Sequence, residues 1–68
     1  MYNITVDNGK PYVLAAKDRG ELKGILKDLK FQYDRGNYPY FDVNVWFIDD
    51  LGHELSLSDK EIRALIEG

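Results

Sequence analysis

An α+β fold in ββαββα order is predicted, with a four-stranded, largely antiparallel sheet packed on one long amphipathic helix and a short carboxy-terminal helix closing the chain. Three observations carry it. An Asn8-Gly9 pair separates two strand-like runs, and a capped apolar stripe follows from Asp18 to about Arg35. The run Tyr40-Phe41-Asp42-Val43-Asn44-Val45-Trp46-Phe47-Ile48 then alternates with the period of a strand, yet carries large apolar groups on both of its sides.

Residues 2–16 read as a hairpin in which Asn8 and Gly9 both take positive φ in a two-residue type I′ turn. That register pairs Asp7 with Lys10, Thr5 with Tyr12 and Ile4 with Val13. Tyr2, Ile4, Val6, Val13 and Ala15 then share one face, and Asn3, Thr5, Tyr12 and Leu14 the other.

Asp18 opens the long helix as its N-cap, with Glu21 three residues later as capping-box partner and Gly36 placed to end it in the left-handed conformation. Leu22, Ile25, Leu26, Leu29 and Tyr33 recur at helical spacing and form the core stripe. In the strand that follows, Phe41, Val43, Val45 and Phe47 are assigned to this helix. Asp49-Asp50-Leu51-Gly52 is a turn, residues 53–57 return as a short strand, and Ser58 caps the last helix with Glu61 opposite and Leu57 stapled onto Ile62. That helix is too short to stand alone and is expected to dock partly on the second sheet face.

The chain of 68 residues reads as one small domain, 1–68, of the size in which self-association often supplements a marginal core. It has no cysteine, which removes disulfides, thiolate metal sites and thiol catalysis and suits a reducing cytoplasm. No apolar run approaches the roughly 20 residues that span a bilayer, so no membrane partner is expected. The net charge of −3 is unevenly spread. Residues 10–35 hold seven basic against four acidic side chains, whereas residues 36–68 hold two against seven.

No motif names a reaction. The six glycines form neither a phosphate loop nor a dinucleotide fingerprint, no nucleophile signature surrounds Ser56 or Ser58, and His53 lacks a second ligand for zinc or a placed partner for base catalysis. The expectation is therefore a chain without catalytic residues, cofactor or metal, acting as an accessory factor that binds and regulates or inhibits another protein. Several surfaces are candidates. The second sheet face is expected to gather Tyr12, Leu14, Tyr40, Trp46 and Ile48, aromatic groups suited to binding hot spots. On the long helix Gly20, Gly24 and Phe31 project together, a smooth notch that either the final helix or a partner fills. A homodimer through such surfaces is a further expectation. Asp42, Asp49, Asp50, Glu54, Asp59 and Glu61 could imitate nucleic-acid phosphates against a basic target, as compact acidic proteins of mobile elements do. The alternative is nucleic-acid binding through Arg19, Lys23, Lys27 and Lys30, a basic ridge on one flank of the same helix.

Overall fold

The computed structural model describes all residues, 1–68. In chain order it contains β1 (Tyr2–Asp7), β2 (Pro11–Ala16), α1 (Arg19–Asp34), β3 (Asp42–Ile48), β4 (Glu54–Ser56) and α2 (Asp59–Glu67). The strands form one antiparallel sheet in the order β2-β1-β3-β4, so β1 and β3 are central and the long connection through α1 returns the chain beside its own first strand.

The caps read from the sequence set the helix bounds. Asp18 lies in extended conformation and its carboxylate accepts from the Glu21 amide at 2.8 Å, while Glu21 reaches back one residue beyond the cap, to the Lys17 amide. At the other end Gly36 takes φ +82°, its amide bonds to the Tyr33 carbonyl and that of Asn37 to the Gln32 carbonyl, the double closure that a left-handed glycine permits. Ser58 and Glu61 form a complete capping box on α2.

The first hairpin departs from its expected register. β1 and β2 pair Asp7 with Pro11, Thr5 with Val13 and Ile4 with Leu14, so the loop holds three residues and only Gly9, at φ +116°, is left-handed. A shift of one residue turns every side chain of β2 over. Tyr12, Leu14 and Ala16 point to the core beside Ile4 and Val6, and Val13 and Ala15 point away from it. The reason is visible in the packing. The longer loop lets Asn8 tuck inward and donate from its side-chain amide to the Tyr12 hydroxyl at 3.0 Å, and it buries Tyr12, Leu14 and Ala16 in place of the smaller pair Val13 and Ala15.

Both helices pack on the same face. The core joins Ile4 and Val6 of β1, Ala16 of β2, Leu22, Leu26 and Leu29 of α1, Val45 of β3 and Ile62 of α2. Leu57, Leu65 and Ile66 complete it around α2. The expectation that α2 would cover part of the second face is thus overturned: Leu57 continues the alternation of Leu55, which lies opposite Phe47 on the helix side, and the chain enters α2 already on that side.

Candidate functional site

With both helices on one side, the other face of the sheet has no covering layer. It carries Asn3, Thr5 and Asp7 of β1, Val13 and Ala15 of β2, Asp42, Asn44, Trp46 and Ile48 of β3, and Glu54 and Ser56 of β4. Trp46 lies at its centre, directly opposite Asn3 on one side and Ser56 on the other. Trp46 is half-buried, with no helix on its side of the sheet. Ile48 and Val13 are 57% and 64% exposed, against 0–7% for every apolar residue of the core. The polar groups Asn3, Thr5 and Asn44 separate the apolar ones. All three charged side chains of this face, Asp7, Asp42 and Glu54, are acidic.

Tyr40 falls just before β3 and reaches the end of the same face, where its hydroxyl donates to the Asp7 carboxylate at 2.8 Å. That bond, and then desolvation, raise its pKa above the ordinary 10.0, because ionising the phenol would place two negative charges together. Of the five residues expected on this face, Trp46, Ile48 and Tyr40 are therefore there. Tyr12 and Leu14 are not, for the register reason above; Val13 and Ala15 replace them.

The notch on α1 is open. A side-chain carbon at Gly24 would meet nothing within 4 Å, and one at Gly20 only the Asp18 carboxylate, so neither α2 nor a loop fills it. Phe31 is 47% exposed, with the Arg35 guanidinium 5.4 Å from its ring centre. The basic ridge, by contrast, is not a free flank. Lys23 and Lys30 are half-buried beside α2, and the Lys30 amine is held by Asp34 at 2.6 Å; Arg19 and Lys27 remain exposed.

The acidic residues do not act as one group. Asp49 is consumed by its turn, its carboxylate accepting from the Leu51 and His53 amides at 2.9 and 2.8 Å while Gly52 takes φ +84°. Glu61 is consumed by the α2 cap. Asp42 and Glu54 share the open sheet face, and Asp50 and Asp59 are exposed elsewhere. No helix is long and apolar enough to cross a membrane.

No protein-family model, curated protein or solved structure matches this chain.

Proposed function

We propose that this chain is a non-enzymatic protein-binding module, and that its contact surface is the open sheet face centred on Trp46. One observation carries the reading: a four-stranded sheet with both of its helices on one side, and Trp46, Ile48, Val13 and Ala15 on the other. Tryptophan offers a rigid apolar surface with a polar edge, the combination enriched where binding energy concentrates. The acidic rim of Asp7, Asp42 and Glu54 favours a partner whose apolar contact patch is bordered by lysine or arginine.

The size of the face suggests the kind of contact. Four strands spaced about 4.8 Å apart and up to about 23 Å long give a footprint on the order of 400 Å², roughly half of what each partner buries in a stable complex. Together with its interspersed Asn and Thr side chains, this points to a weak, exchangeable partner, a regulator's contact, over a permanent homodimer. Nucleic-acid binding through Arg19, Lys23, Lys27 and Lys30 is disfavoured by the α2 helix against that flank and the Lys30–Asp34 pair.

The experiment is affinity capture with the wild-type chain and with Trp46→Ala and Lys27→Ala, at low and high salt, followed by titration of the captured protein. The reading expects a partner whose affinity falls at least about tenfold with Trp46→Ala and little with Lys27→Ala. A partner indifferent to Trp46, or a nucleic acid released steeply by salt, refutes it.

A further inference from the structure

A second surface, which shares Asp42 with the open face but not Trp46, lies where the sheet runs out of partners. β3 is seven residues long and β4 only three, pairing Trp46, Phe47 and Ile48 alone. Beyond that, the Leu57 amide donates to the Val45 carbonyl at 2.9 Å and the chain turns away into the Ser58 cap. In a strand, the N–H and C=O of one residue point to the same side and those of the next residue to the other. The Val45 carbonyl faces the β4 side, so the N–H and C=O of Val43 also face that side, where β4 has no residue opposite them. β3 therefore has a free edge at Val43, beside a covered one.

That edge is one wall of a groove, and α2 is the other. Phe41 and Val43 meet Ile62 and Ile66 across a cavity of about 360 Å³, enough for a large aliphatic side chain with neighbouring backbone. Its rim carries Asp42, Asp59 and Glu67 against Arg63 and Lys30, and the Lys30 amine is already held by Asp34. The balance is acidic.

We propose that this groove binds an extended segment of a partner protein by strand addition. The segment occupies the place in the sheet that β4 vacates when it turns into α2. Its backbone exchanges hydrogen bonds with Val43, one aliphatic side chain enters between Phe41, Val43, Ile62 and Ile66, and a flanking lysine or arginine meets the acidic rim. An extended chain offers a donor and an acceptor at the spacing that the Val43 N–H and C=O require, and the apolar floor beneath supplies the preference for alternate residues. Pairing of this β3 edge with the β3 of a second copy would be short, because β4 and α2 of each copy leave only the stretch around Val43 free; a second copy would have to offer its edge strand β2 instead, and the dimer outcome below tests that.

The test uses the full chain and a random peptide library displayed on phage, with the enriched sequences made as synthetic peptides. Enriched peptides should carry an aliphatic residue with a lysine or arginine nearby and should protect the Val43 amide from hydrogen exchange. Their affinity should fall about tenfold or more in Val43→Pro, which removes the outward-facing N–H together with one apolar wall of the groove, and in Ile66→Glu, and stay unchanged in Trp46→Ala. Failure to enrich any peptide, binding lost with Trp46→Ala but not with Ile66→Glu, or a concentration-dependent dimer abolished by Val43→Pro overturns the proposal. Because Trp46 is outside the groove, the groove and the open face can fail separately.

Discussion

The two faces of one sheet share the same strands and the same alternation, yet one is a core and the other a surface. On the helix side, Ile4, Val6 and Val45 are 0–1% exposed beneath Leu22, Leu26 and Ile62. On the far side, Val13 and Ile48 are more than half exposed and Trp46 is half-buried. Apolar side chains alone do not make a core; the second layer does, and here both helices went to one side. What distinguishes the two faces chemically is the row of Asn3, Thr5 and Asn44 between the apolar groups of the open one, polar enough to stay wet in the absence of a partner and small enough not to bar its approach.

Substitutions can break this contrast in order of size. Leu26→Ala removes a fully buried side chain and is expected to cost roughly 2–5 kcal/mol, a large part of the approximately 3–10 kcal/mol that a domain of this length holds. Ile48→Ala deletes a comparable volume from the open face and should change stability by no more than about 0.5 kcal/mol. Urea denaturation followed by far-UV circular dichroism compares them, and equal losses would mean that the two faces are equally covered.

The register is tested next. Tyr12→Ala loses core packing and leaves the Asn8 amide without its partner, so its urea midpoint should drop clearly, whereas Val13→Ser should hardly move it. The two-residue turn would reverse that order. On α1, Gly24→Ala should stabilise by about 1 kcal/mol because nothing lies near the added methyl, while Gly36→Ala should destabilise by about 1–2 kcal/mol at its positive φ. A destabilising Gly24→Ala would show that the notch is filled.

The smallest effect is at the end of the open face. The Tyr40 phenol, isolated as the difference between ultraviolet absorbance titrations of the wild type and Tyr40→Phe, should titrate above 10.0, and Asp7→Ala should bring it back toward that value. Since the folded state holds this proton more tightly, the bond's contribution is complete below pH 10.0 and is lost as pH rises through the raised folded value.

The sequence made the element order, both caps and the core face of β3 legible, since Asp18, Gly36 and Ser58-Glu61 are local signals acting where they stand. The register of β2 was not legible from Asn8-Gly9 alone, because one extra loop residue costs little locally while the choice is made by tertiary burial. Weighing Tyr12, Leu14 and Ala16 against Val13 and Ala15 as alternative core sets would have pointed to it. The side taken by α2 could similarly have been traced through the parity of Leu55 and Leu57 opposite Phe47. The free edge of β3 follows from the Ser58 cap, which stops β4 after three residues, but only once the pairing of β4 with Trp46–Ile48 is known.

The uncovered face is the claim on which the proposed function stands, and solvent access to its methyl groups tests it most directly. With a soluble paramagnetic probe and methyl-resolved NMR, the Val13 and Ile48 methyls should relax strongly, and those of Ile4, Leu26 and Ile62 should be spared. Equal protection of Val13, Ile48 and Ile62, with nuclear Overhauser contacts from Ile62 or Leu65 to the Trp46 indole, would place α2 over that face and contradict the account.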